Sequence, residues 1–256
     1  MRVGVVRVGA PYWEGQGHTE SGQLCINALR RLEAHAARGG GGDSGSAGGA
    51  AATRATVVWD IKLPGREVLR HGGMGELDVM LHEFAQALPE YLTQRCPPTT
   101  LEAIVAFNHA NAAREMALFS QDLFEEALRI ARRRTDAGTA AGALRARSRL
   151  RAAARGAIDS ALRAHGVDVL VCPTCPVAWP VHAKGGSSAI AAFFDSYGLS
   201  AVAGYPVISL PVGKTQDEGL PVGISFLGTL HSDALLVKVA SAMEKLCVPT
   251  APSSNL

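Results

Sequence analysis

Short apolar runs bounded by Gly and Pro alternate along this chain with longer stretches whose apolar residues recur every three or four positions. The runs read as buried strands and the stretches as amphipathic helices. Strand signals fall at Val3–Val8 and Thr56–Leu63. Between them His18–Arg38 predicts a helix with Leu24, Ala28, Leu32 and Ala36 on one face. That β-α-β order predicts a right-handed crossover between parallel strands. Met74–Cys96 predicts a helix carrying Leu77, Met80, Leu81, Phe84, Leu88 and Leu92. Thr99, three residues before Glu102, offers an N-cap for a helix running through Ile104 and Phe107 to Met116. Further helices are expected at Gln121–Arg133 and Gly142–His165, the second closed by Gly166. Val167–Val171 then reads as a compact buried strand leading into Pro173-Thr174.

The last third continues the alternation. Ala189–Ala203 is rich in small residues and reads as a helix, and a Gly-Tyr-Pro corner follows. Val207–Val212 and Val222–Leu227 are two strands joined by a turn, and Asp233–Leu246 is a closing helix with Ser232 as its N-cap. The sum is an α/β chain, a mixed β-sheet sandwiched by helices in a single domain spanning residues 1–256. One tract disturbs it. Gly39–Ala52 is a Gly/Ser/Ala-rich sequence that cannot bury enough to order itself and reads as a flexible insertion in the crossover. A phosphate cradle would follow a strand directly and open a helix, and this tract does neither.

Composition narrows the classes. With 47% apolar residues in 256, the chain has material for a sizeable core, and its net charge of +2 demands no acidic partner. The densest basic region, Arg129–Arg155, also holds Asp136 and many Ala and Leu at helical spacing. It reads as the solvated face of a helix pair rather than a phosphate-binding patch, so nucleic acid is not an expected partner. No apolar stretch is long enough to span a membrane, and the first residues are too interrupted for a signal peptide. A cytoplasmic location is expected, with no membrane partner.

Reactive residues are scattered. Five cysteines lack disulfide-framework spacing. Cys172-Pro-Thr-Cys175 has neither the following helix of a redox pair nor a second pair for zinc, and reads as incidental. Eight histidines show no metal-ligand spacing. Asp78 and Glu83 read as the wet face of their helix, and Asp168 is either buried in its strand or at an edge.

Three segments are more specific: Ala203-Gly204-Tyr205-Pro206, Leu210-Pro211-Val212-Gly213 and Gly219-Leu-Pro-Val-Gly-Ile-Ser-Phe-Leu-Gly228. Together with Arg2–Arg7, Leu101–Glu115, Val169–Val171 before Pro173-Thr174, and Trp179-Pro180, they resemble the C-terminal half of the amidase-signature family. The resemblance implies hydrolysis of a carboxamide C–N bond to an acid and ammonia or an amine, with no cofactor and no metal. It places Thr174, Trp179, Ser187 and Ser188 beside the substrate pocket. The family's nucleophile is a serine activated through a second serine and a neutral lysine, because serine is weakly nucleophilic without an adjacent base.

That triad belongs to the family's other half, and no match to it is found in these 256 residues. Lys184-Gly-Gly-Ser187-Ser188 imitates the signature but lacks its following glycines and its separate lysine strand, and reads as a pocket-side loop. No catalytic residue is therefore assigned, and the chain alone is expected to lack activity. The alternative is a non-catalytic remnant, a pseudoenzyme, that binds or scaffolds. A separate N-terminal amidase half or a second copy of the chain is the expected protein partner, and a truncated reading frame is the third explanation. A small amide is the expected substrate. Charged tRNA is less attractive for want of a basic strip.

Overall fold

A computed structural model of the protein describes residues 1–6, 20–37, 55–63, 75–95, 99–133, 137–175, 177–178 and 195–247. The chain divides into two compact units. Met1–Arg66, Ala154–Pro180 and Ser187–Leu256 form the first, and Glu67–Ala153 with Val181–Gly186 the second. Of the sequence expectations, Gly39–Ala52 and the start of the helix expected from Ala189 lie outside the described residues.

The first unit is built on a five-stranded sheet of β1 (Arg2–Val6), β2 (Thr56–Ile61), β3 (Val169–Pro173), β4 (Val207–Lys214) and β5 (Pro221–Leu227), in the order β2-β1-β3-β5-β4. β1 runs parallel to both β2 and β3, whereas β5 is antiparallel to β3 and β4. The sheet is thus mixed, and the β1-helix-β2 crossover is parallel as its alternating pattern requires. Alternation along the strands sends Val3, Val5, Val171, Ile224 and Phe226 to one core. Cys25, Ala28, Leu29 and Leu32 of α1 (Glu20–Ala37) close on it, with Leu236, Val239, Ala240 and Met243 of the last helix, Asp233–Cys247. Every residue of β3 is buried, as befits the central strand.

Helix and strand boundaries follow cap chemistry. The long helix Ala137–His165 ends where Gly166 takes φ 57°. Its N–H bonds Arg163 O at 3.2 Å and that of Val167 bonds Leu162 O at 3.0 Å, the paired closure that a left-handed glycine permits. Because Val167 serves this cap, β3 begins two residues later than its apolar run suggests. Asp168 is exposed between cap and strand, its Oδ2 accepting from Arg2 N at 2.7 Å while its own N–H bonds Arg2 O at 2.8 Å. It is a strand-end residue, not a buried acid.

The second unit is helical: α2 (Glu76–Thr93), α3 (Leu101–Ala110), α4 (Ala112–Glu115), α5 (Asp122–Arg132) and the first part of α6, the helix Ala137–His165. Ala85, Leu92, Leu101, Ala127 and Leu128 form its core, and the Phe84 and Phe124 rings stack with centroids 5.8 Å apart. The cap of α3 is Thr100 rather than Thr99. Its backbone is extended and its Oγ1 accepts from Ala103 N at 3.1 Å. The helix expected to continue to Met116 breaks at Asn111, whose Nδ2 donates to Phe107 O at 2.8 Å and competes with the helical ladder. Asp78 Oδ2 accepts from Gly75 N at 2.8 Å at the head of α2, and exposed Glu83 pairs with Arg147 at 3.1 Å. Both carboxylates are structural or solvated. Among the described residues no helix is long and apolar enough to cross a membrane.

Candidate functional site

Thr174 follows directly after β3, where the chain leaves the sheet. Register aligns Cys172 of β3 with Ser225 of β5, and Ser225 with Ser209 of edge strand β4. Ser225 is fully buried, and its Oγ lies 2.7 Å from Thr174 Oγ1 and 2.8 Å from Ser209 Oγ. Three hydroxyls therefore form a chain from the exposed edge of the sheet to the half-buried end of β3. A second tie fixes Thr174, whose N–H donates to Gly223 O at 2.9 Å. A Cβ on Gly223 would meet Thr174 Oγ1 at 2.9 Å, so the close approach needs glycine there.

This arrangement orients a hydroxyl without activating it. A serine hydroxyl takes no proton near neutral pH, so the bond to Ser225 by itself does not make Thr174 a stronger nucleophile. What it offers is one directed O–H or lone pair, suited to holding a polar group such as an amide. Beside it, Cys175 is half-buried, and burial pushes its thiol pKa up, away from the thiolate a redox pair requires. Cys172 is buried in β3, and neither cysteine is in a disulfide. Among the described residues no His, Cys, Asp and Glu cluster could hold a metal.

The Gly-Tyr-Pro corner has a different task. Helix α7 (Asp195–Ala203) closes at Gly204, φ 67°, with Gly204 N bonded to Ala201 O and Tyr205 N to Ser200 O at 3.0 Å. Tyr205 OH donates to Asp159 Oδ2 at 2.8 Å, and Thr229 Oγ1 donates to Asp159 Oδ1 at 2.9 Å. Arg155 Nε donates to Ala203 O at 2.8 Å, and its guanidinium sits 5.5 Å from the centroid of the Tyr205 ring. One turn of α6 thereby holds both flanks of the β4–β5 pair. Burial pushes the Tyr205 phenol up, and the bond to Asp159 adds to the rise.

Of the residues expected at the pocket, Thr174 is placed as above, whereas Trp179, Ser187 and Ser188, with Lys184, lie outside the described residues. Sequence reading did not single out Ser209, Ser225 or Asp159. Ser225 carried one usable signal, a small polar residue between Ile224 and Phe226 in an otherwise apolar run.

With sheet, hydroxyl chain and corner defined, comparison with known proteins identifies the class. A family model described as Amidase matches residues 68–237. The chain belongs to the Amidase family. The peptide amidase of Stenotrophomonas maltophilia superposes with a TM-score of 0.68 at 32% identity, covering 96% of this chain and 42% of that one. One component of the glutamyl-tRNA(Gln) amidotransferase of Nitratidesulfovibrio vulgaris is 35% identical over 91 residues, 35% of this chain and 19% of that protein. Mandelamide hydrolase of Pseudomonas putida is 37% identical over 84 residues, 32% of this chain and 17% of that protein. The chain thus spans less than half the length of the solved peptide amidase, and the matches to these two curated relatives cover under a fifth of theirs.

Proposed function

We propose that residues 1–256 are a partial amidase-type domain, the C-terminal half of an enzyme that hydrolyses carboxamide C–N bonds. In this reading the half supplies sheet and one pocket wall but no nucleophile. The observation that carries it is the superposition on a peptide amidase over 96% of this chain and only 42% of the other. Thr174, positioned by Ser225 and Gly223, is the substrate-facing hydroxyl of that wall, with Trp179, Ser187 and Ser188 beside it. The nucleophilic serine, its relay serine and the lysine come from the N-terminal half of the family's fold. The substrate is a small carboxamide and the reaction uses no cofactor.

Ammonia release from a panel of primary carboxamides tests the proposal, with the chain assayed alone and mixed with a recombinant N-terminal amidase half. No turnover alone and turnover in the mixture is the expected result. Robust turnover by the chain alone overturns the division of labour. A stable mixed complex without turnover points instead to the non-catalytic, scaffolding reading.

A further inference from the structure

We infer that the cleft between α3 and α5 in the helical unit is a binding site for an oxyanion headgroup carried on a short apolar body, a class that includes alkyl carboxylates and phosphate monoesters. The cleft is open to solvent, has a volume of about 580 Å³ and lies between one stripe of each helix. Val105 and His109 line it from α3, four residues apart. From α5 come Leu128, Arg129 and Arg132, and its C-cap Arg133 follows, the arginines at the three- and four-residue spacing that puts them on one face. Val105 and Leu128 give it an apolar floor, and the arginines give it a basic end.

Among the described lining residues the charges do not cancel. Glu125, the one acid among them, lies 2.9 Å from His109 Nε2. Arg129 is held by both carboxylate oxygens of Glu126, which keeps that carboxyl below its ordinary pKa. Arg132 and Arg133 make no ion pair with a described carboxylate, although the charge of Arg133 also reaches Glu126. The C-terminal end of α5 contributes an opposing charge equivalent to roughly half an electron. Two full guanidinium charges outweigh it. Guanidinium groups are planar forks matched to carboxylate and phosphate oxygens, and this exposed pair lines the same cleft as buried Leu128. A headgroup on the arginines would lay its apolar body over Val105 and Leu128.

Calorimetric titration of the full chain at low salt tests the inference with four probes: hexanoate, hexyl phosphate, hexanamide and inorganic phosphate. Hexanoate and hexyl phosphate should each bind at least about tenfold more tightly than hexanamide, and hexyl phosphate more tightly than inorganic phosphate. Arg132→Gln with Arg133→Gln, both exposed, should weaken the two amphiphiles by about tenfold or more. Glu125→Gln removes the acid from the lining and should tighten them, a gain that misfolding cannot imitate. Equal binding of hexanamide, equal binding of inorganic phosphate, or indifference to the arginine pair overturns the proposal. A preference between the two amphiphiles identifies the headgroup without affecting it.

Discussion

At the scale of single residues, the hydroxyl chain through Ser225 is the most exposed to test. Ser225→Ala leaves Thr174 and Ser209 without their shared partner and should cost about 1 kcal/mol of stability in urea denaturation. Gly223→Ala forces a methyl group against Thr174 and should cost about 1–3 kcal/mol. Tyr205 gives a pH signature of known sign. Because burial raises its pKa above the ordinary 10.0, the unfolded chain ionises this phenol first. Its contribution to stability is intact below pH 10 and is lost as pH climbs through the higher folded value. Ultraviolet titration should show a late phenol that vanishes in Tyr205→Phe. Thr174 was reachable from sequence through a family resemblance. Its partners were not, because strand register decides that Ser209 and Ser225 face each other, and nothing in an isolated strand announces its register.

At the scale of elements, periodicity located the described helices and strands, and local side-chain chemistry moved their ends. Thr99 and Thr100 both satisfy the composition of an N-cap, but only Thr100 Oγ1 reaches Ala103 N. Thr100→Ala should therefore cost about 1 kcal/mol. Thr99→Ala should stay within about 0.5 kcal/mol, and thermal melts of the two separate the alternatives. Asn111 stops a helix whose apolar spacing runs on, because its amide bonds the carbonyl that the helix also uses. The specific-looking Ala-Gly-Tyr-Pro segment was legible as a motif while its purpose was not. Its phenol is held by Asp159, which at the level of sequence is one more polar position on a long amphipathic helix.

For the whole molecule, the order β2-β1-β3-β5-β4 lay beyond sequence reading, since β1 and β3 pair across more than 160 residues of intervening chain. Surface composition has consequences too. Leu77, Met80, Tyr91, Phe107, Leu118, Phe119, Leu123 and Leu144 are each half or more exposed, and all lie in the helical unit. Exposed apolar side chains attract hydrophobic ligands and other chains, the more so where they adjoin. The chain should bind a hydrophobic dye in its native state. Phe107→Ser with Phe119→Ser should lower that fluorescence while leaving stability within about 0.5 kcal/mol, since neither side chain is buried.

The tie between Arg2 and Asp168 also sets a clock on biosynthesis. A ribosome adds roughly 5–20 residues per second. The separation of 166 residues then makes β1 wait on the order of 10–30 s before its central neighbour exists. Throughout that interval an apolar strand with one side unpaired is within reach of any other nascent chain. The antiparallel pair β4–β5, joined by a short turn, has no such delay. Slowing translation between the codons for Arg2 and Asp168 should therefore lower the soluble yield of this protein.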